Sequence, residues 1–508
     1  MEGALPEPTQ SRLDAVVAFA RREPGKALTI LLAFHLVVWT VLPLLVCPNL
    51  QLDLAEDLAL GREWQLGYWK HPPLPWWTAD LVYRLTGTID SVYVLGALAA
   101  TISFYGVWLL ARDTVGPVRA LIAVGTLEGV HFYNLSVVKF AHDQMQLPFW
   151  AFTAWFFHRA LTRGRHLDWL LAGVCLAGAF WSKYAVFALA ISLGVFLLLD
   201  PAARRAWRTP GPYLMAVAFA AAIAPNVWWL IANDFLPLHY VDVRARVAGH
   251  WYDYPIFPLR WTISQIFFLI PTIALMALLY GRRDTFVRPA DDQAAFDRRF
   301  VAMFALGPFL VVTLAFGVLG RLPVAMWGYP LWSFAPLAVL LWWPPADDLR
   351  RLRRFAAGTI AVTLAFPAIY AAIEIGEPFI RDRPKATEFP GRTMAATVTR
   401  AWRDRYGTPL TYVGGAEFPA NNVAVYSPDR PRVIVHGELK LSPWIDAAVV
   451  ARRGGVLVWE GDADHPQLAQ WRARFGAFTV EPPLVLPRQT FAKVKPVRVH
   501  YAFIAPSP

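Results

Sequence analysis

A polytopic α-helical membrane protein with a small α/β domain at its carboxyl end is the architecture this sequence predicts. Three observations carry it. Apolar residues make up 56% of the 508 residues and charged residues only 17%, a balance far from that of soluble domains. The apolar residues fall into successive runs that approach the ~20 needed to cross a bilayer. Arginine and lysine cluster in the short segments between alternate runs, as the positive-inside rule expects. That placement explains the net charge of +11. It is topogenic rather than a nucleic-acid footprint, and part of it is available to anionic lipid phosphates.

Residues 1–26, with Arg12, Arg21, Arg22 and Lys26, read as a cytoplasmic tail. The membrane domain is expected over residues 27–376, with about 11 spans, the amino terminus inside and the carboxyl terminus outside. The first span, 27–46, leads into a long outer loop at 47–91. No Gly or Pro falls between Asp53 and Gly61, so this part is expected to be a short helix on the membrane surface, with a second at 74–85. A span at 92–111 returns the chain to Arg112 and Arg119 inside. The next span runs to about residue 138, by the same apolar-length criterion. A short outer turn, 139–144, precedes a span ending before Arg163, Arg165 and His166.

Residues 167–199 are too long for one span and divide at Trp181-Ser182-Lys183-Tyr184, with Lys183 at an outer turn. Arg204, Arg205 and Arg208 mark the next inner segment. The outer loop at 233–258 carries Tyr240, Arg244 and His250. Arg282, Arg283, Arg288, Arg298 and Arg299 are inside, as are Arg350, Arg351, Arg353 and Arg354. This alternation puts 47–91, 139–143, Lys183 and 233–250 on one outer face.

Residues 377–508 change character. Short β-like runs at 410–413, 423–426, 432–435, 455–459 and 500–504 alternate with helical patterns at 393–406 and 465–475. That alternation predicts a small α/β domain on the outer side. No catalytic motif stands out in it. Gly414-Gly415 and Gly454-Gly455 read as turns, because neither has Walker or Rossmann spacing. Cys47 and Cys175 show no metal-ligand spacing and read as unpaired thiols in apolar surroundings.

The residues able to do chemistry gather on the outer face. Asp53 and Glu56, three apart, share one side of a helix. They suit a general base acting on an acceptor hydroxyl or amine, or equally a solvated interfacial face such as Asp57 and Glu63 would make. Lys70-His71-Pro72-Pro73 joins a cation and an imidazole to a backbone stiffened by proline. Lys70 reads either as a point charge for a phosphate or as a lysine snorkelling to headgroups. Lys139, His142 and Asp143 crowd one turn, so Asp143 either joins Asp53 in one site or pairs locally with Lys139. Lys183 interrupts an apolar run, where a lysine faces a cavity, a partner or nearby water. Glu128 and His131 read as a buried polar pair.

Here a resemblance becomes specific. Asp53 followed by Gly67-Tyr68-Trp69-Lys70-His71-Pro72-Pro73-Leu74 resembles the first outer loop of bacterial glycosyltransferase family 39 proteins. This is the group similar to dolichyl-phosphate-mannose protein mannosyltransferases and to the lipid A aminoarabinose transferase. Trp181-Ser182-Lys183-Tyr184 is similar to the family's Ser-Lys-Tyr turn. Asp143, before Leu147-Pro148-Phe149-Trp150, matches its second outer-loop acid, and Pro225-Asn226 with Trp228 and Asn233 resembles a later segment.

The resemblance implies a GT-C fold and an inner-membrane enzyme acting on the periplasmic side. That enzyme moves a sugar, with inversion, from a polyprenyl-phosphate donor to a lipid, glycan or protein acceptor. It implies Asp53 as base, Asp143 as second acid, and Lys70, His71, Tyr68, Lys183, Tyr184, Lys139 and His142 as donor or substrate contacts. Glu56 stands one helical turn from Asp53, where many members have adjacent Asp-Glu. No metal or other cofactor is expected. The partners are membrane lipids and the two substrates, with no nucleic acid. The rival class is a transporter or lipid flippase, which would place its charges near the midplane in repeated halves.

Overall fold

The structure, a computed structural model, describes residues 12–281 and 284–507. Residues 1–11 of the expected tail, and Arg282 and Arg283 of the expected inner loop, lie outside the described residues. The helices of the first half are α1 (Arg12–Arg22), α2 (Pro24–Val46), α3 (Leu52–Gly61), α4 (Leu74–Thr86), α5 (Val94–Val115), α6 (Pro117–Leu127), α7 (His142–Arg163), α8 (His166–Ser182) and α9 (Phe187–Leu199). They continue with α10 (Gly211–Ala232), α11 (Leu236–Arg244), α12 (Asp253–Ala277), α13 (Asp292–Val318), α14 (Ala335–Trp342) and α15 (Leu349–Ile380). Among the described residues six helical segments are long and apolar enough to cross a bilayer: α2, α5 with its preceding turn, α10, α12, α13 and α15. The fold is a multi-pass membrane bundle.

The helix ends follow local chemistry. Pro24, Pro117 and Pro212 sit in the first turns of α2, α6 and α10, where the missing N–H costs nothing. Gly164 closes α7 and Gly87 closes α4 in the left-handed conformation, which glycine adopts without a Cβ clash. The chain breaks between α8 and α9, with Lys183 extended between them.

Residues 112–138 do not form one long span. α6 stops after 11 residues, and an irregular buried segment follows. There the backbone polar groups are met by side chains: Asn134 Nδ2 donates to the Glu128 carbonyl at 2.7 Å and Gln144 Nε2 to the Ser136 carbonyl at 2.8 Å. This segment also overturns the expected Glu128–His131 pair. Glu128 meets His35 of α2 at 3.1 Å, while His131 packs against Phe268.

Both helices of the outer loop form, and α4 keeps an exposed face with Leu81 and Leu85, but α3 does not lie on the surface. From Leu54 to Gly61 every residue of α3 is buried, because α3 is packed between α4 and α17 (Glu417–Tyr426). Gly61 permits the α3–α4 approach, since a Cβ there would strike the Trp76 carbonyl. Asp57 and Glu63 are therefore not solvated. Asp57 is 1% exposed, and Glu63 is held bidentately by Arg432.

Preceding α17 in the C-terminal region is α16 (Gly391–Tyr406), and α18 (Ala447–Arg453) and α19 (Leu468–Phe475) follow it. A two-residue pairing, β1 (Arg246–Val247) with β2 (Arg321–Leu322), bridges two membrane loops. The C-terminal sheet contains β3 (Tyr412–Gly415), β4 (Arg432–Val433), β5 (Gly455–Glu460), β6 (Leu484–Leu486) and β7 (Val497–Ile504), in the order β4-β3-β5-β7-β6. β3 runs parallel to β4 and β5, and β7 antiparallel to β5 and β6. Two readings are corrected here. Residues 423–426 are the end of α17 rather than a strand, their valines filling a buried helical face. Gly414-Gly415 end a strand rather than make a turn, and a Cβ at Gly415 would strike the Val458 carbonyl.

Candidate active site

A cavity of about 620 Å³ opens where the outer loop, α7, the Lys183 break, α11, α15 and the segment after α15 meet. Asp53, Lys70, His71, Lys139, His142, Asp143 and Lys183 all line it. Seven of the ten residues singled out in the sequence thus converge from segments far apart in the chain.

Asp53 lies in the first turn of α3, where the helix dipole favours negative charge. It faces the cavity and has no hydrogen bond or ion pair among the described residues. Burial pushes its carboxyl above the ordinary value, with Lys70 and Lys139 opposing. A carboxylate that is free, partly desolvated and raised is better suited to accept a proton than one in water.

Asp143 differs. It lies in the first turn of α7 and its Oδ1 meets Lys183 Nζ at 2.5 Å, with Gln146 donating to the same oxygen at 3.3 Å. Of the two readings of Asp143, the local pair with Lys139 is not made among the described residues. Gln144 fixes this corner by accepting from Ala141 N at 3.0 Å and donating to the Tyr329 hydroxyl at 3.1 Å. Lys183 also lies 5.7 Å from the centre of the Trp327 ring.

Lys70 is 8% exposed and is held between Glu56 and Glu417, with Glu417 Oε1 at 3.1 Å. Burial by itself would lower its pKa, but Glu56, Glu417 and Asp53 outweigh burial and raise it, so the ammonium stays charged. Glu56 lies behind Lys70 rather than on the cavity lining. Burial pushes its carboxyl well up, against the pull of Lys70. Burial acts on Glu417 in the same direction, yet Lys70 and His436 prevail and hold it below the usual range. His71 and His142 meet ring to ring at 3.7 Å. Burial, then His142, holds His71 well below its ordinary value and therefore neutral.

Tyr68 and Tyr184 are not on the cavity lining. Tyr68 is fully buried between Trp76 and Trp444, its hydroxyl donating to the Leu60 carbonyl at 2.9 Å. Tyr184 donates to Asn226 Oδ1 at 3.2 Å, and Asn226 Nδ2 donates to the Leu66 carbonyl at 2.5 Å. Both tyrosines brace the loop that carries Lys70. Gly67 belongs to the same support, because any Cβ there would enter the Trp229 ring of α10.

Sequence reasoning left other lining residues out of the site. Tyr240 and Arg244 come from α11, a segment it had placed on the right face. Glu374 and Glu377 come from α15. At 32 residues this helix is roughly 48 Å long, beyond the ~30 Å hydrocarbon core, so its last turns can project to the cavity. Arg383 and Lys385 follow it. Lys385 is paired with Glu377 at 2.9 Å, whereas Lys139, Arg244 and Arg383 have no side-chain hydrogen bond or ion pair among the described residues. Glu417, behind Lys70 rather than on the lining, had no sequence signal, because the helix it starts had been read as ending in a strand. No group of three or more His, Cys, Asp or Glu is arranged to hold a metal ion among the described residues.

With this geometry established, the likenesses to known proteins are consistent with it. Residues 70–229 match the family described as Dolichyl-phosphate-mannose-protein mannosyltransferase, so the resemblance read from the sequence holds over this stretch. The lipid A galacturonosyltransferase RgtD of Rhizobium johnstonii is 29% identical over 276 residues, covering 51% of this chain and 56% of that protein. The match therefore spans about half the length of this relative. The crystal structure of ArnT from Cupriavidus metallidurans in the apo state superposes with a TM-score of 0.56 at 15% identity, covering 94% of this chain and 98% of ArnT. The structure of ArnT bound to undecaprenyl phosphate superposes with a TM-score of 0.55 at 15% identity, covering 94% and 99%. The fold is thus of the GT-C type.

Proposed function

We propose that this protein is an inner-membrane glycosyltransferase that moves a sugar from a polyprenyl-phosphate donor to a lipid acceptor of the lipid A class on the periplasmic side. One observation carries the reading: an unpaired, partly buried carboxylate, Asp53, shares a cavity with lysines and arginines at the outer ends of apolar helices. Arginine-rich segments on the other side support the orientation. The donor class draws on ArnT, solved with undecaprenyl phosphate, and the acceptor class on RgtD, a lipid A galacturonosyltransferase.

In this mechanism Asp53 takes the proton of an acceptor hydroxyl. The oxygen attacks the anomeric carbon from the face opposite the phosphate, so the configuration inverts. The new C–O bond forms as the bond to the phosphate oxygen breaks, and the polyprenyl phosphate leaves with the electron pair. Lys139 and Arg244, two of the three cavity cations unpaired among the described residues, contact the phosphate directly. Lys183 and Lys70, each already neutralised by carboxylates, add field rather than a free charge. Such preorganised cations stabilise the charge developing on the leaving group. Asp143 orients Lys183 and is the second acid of the site. No divalent metal is required, because the leaving group is a monophosphate.

Mass spectrometry of envelope lipids from a deletion strain, beside the parent and an Asp53→Asn strain, tests this. The deletion and the variant should lack the same sugar-sized mass on one lipid class. Identical lipid profiles in all three strains would overturn the assignment.

A further inference from the structure

The C-terminal sheet domain carries no catalytic motif, yet it reaches the cavity wall. Glu417 is the first residue of α17, directly beyond β3. Its Oε1 lies 3.1 Å from Lys70 Nζ, while Glu56 of α3 holds the same nitrogen. The other Glu417 oxygen is 3.8 Å from His436 Nε2. Trp69, next to Lys70, stands edge-on to His436 at 5.2 Å and to Tyr240 at 5.3 Å. Lys70 Nζ lies 5.3 Å from the centre of the Trp69 ring. The lysine is thus enclosed by the outer loop, α11 and the sheet domain together.

Two carboxylates around one ammonium exceed what neutralisation needs. The two are held unequally: burial pushes the Glu56 carboxyl up, whereas Lys70 and His436 hold Glu417 below its ordinary range. A lysine stem is flexible, with three donors and no preferred direction of its own. Two acceptors on opposite elements fix where its charge sits.

We propose that Glu417 is a positioning residue. By clamping Lys70 from the sheet domain against Glu56, it fixes the ammonium at the cavity wall within the field of Asp53, so that docking of this domain completes the active site. The proposal rests on the glycosyl-transfer reading above. Docking itself does not depend on Glu417. Arg432 grips Glu63, Asn49 donates to Asn422 at 3.1 Å, and Leu50 N donates to the Tyr426 hydroxyl at 3.0 Å. Removing the Glu417 carboxylate therefore leaves the domain in place.

The test uses the full-length protein in nanodiscs and has two arms. In the first, an amine-acylating ester is applied at pH 8 and Lys70 acylation is followed by peptide mass spectrometry, with exposed Lys139 as internal standard. Lys70 should react several-fold faster in Glu417→Ala than in wild type, and equal rates would overturn the clamp. In the second, turnover is measured with polyprenyl-phosphate-linked sugars. Glu417→Ala should lower kcat about tenfold with little change in donor KM, and Glu417→Asp should recover part of the loss. In a Lys70→Met background the Glu417 substitution should have no further effect, because coupled residues are not additive. Additive losses would assign Glu417 a merely structural role. If wild type itself turns over no such sugar, the glycosyl-transfer reading fails, and the acylation arm still decides the clamp.

Discussion

Asp53 and Asp143 face one cavity, each in the first turn of a helix, yet they are held in opposite ways. Asp143 is tied to Lys183 at 2.5 Å, whereas Asp53 has no side-chain partner among the described residues and is raised by burial. The same residue type at the same helical position is therefore tied in an ion pair in one case and left without a partner in the other. What separates them is the lysine opposite. Lys183 has one carboxylate to satisfy it and takes Asp143. Lys70 has Glu56 and Glu417, and so leaves Asp53 free.

The largest effect should come from the free acid. Asp53→Asn keeps the shape and removes the base, and general-base catalysis contributes roughly 10²–10⁴-fold. Turnover in a reconstituted assay should fall into that range with the protein still folded and inserted, and wild-type turnover would erase the distinction drawn above. The fixed pair should respond less. Lys183→Ala leaves Asp143 facing the donor phosphate without its lysine, and donor affinity should weaken by about tenfold, or ~1.4 kcal/mol. Adding Asp143→Asn should restore part of it. An unchanged donor Kd in the single variant would remove Lys183 from the phosphate's surroundings.

The pH profile sharpens the same contrast. As the proposed base Asp53 must be ionised, and its pKa is raised, so kcat/KM should fall as pH drops through a value above the ordinary ~3.9 of aspartate. A profile flat down to about pH 4 would show an acid no different from one in water. The smallest effect belongs to Asp57, buried at 1% and pushed well up by burial, with Glu56 and Asp53 adding to it. Between its unfolded and folded pKa values the native state holds a proton that the unfolded chain has lost, so this group costs stability as pH rises through that window. Asp57→Asn should therefore match or exceed the wild-type Tm at pH 7, converge with it below about pH 4, and change turnover by less than about threefold. A clear loss of Tm at neutral pH would mean that the carboxylate is ionised and paired.

The likeness of α3 to a surface helix shows how far local pattern reaches. Acids spaced along a short helix between two apolar runs look solvated, because sequence records the spacing of Glu56 and Asp57 but not what covers them. The cover is α17, some 360 residues later, and only packing brings it there. Residues 423–426 failed for a related reason. β-branched residues favour strands weakly, and a buried helical face overrides that preference.

By itself the sequence determined the membrane bundle and seven of the cavity's residues. Apolar run length and basic flanks follow from the bilayer's thickness and charge asymmetry, and both are written one residue after another. Tertiary structure alone decided the pairings: Asp143 with Lys183, Glu128 with His35, and Lys70 with both Glu56 and Glu417. It also turned Tyr68 and Tyr184 from contacts into braces. A charge's role depends on which opposite charge lies within a few ångströms, because Coulomb attraction in a desolvated site falls off with distance and not with sequence separation.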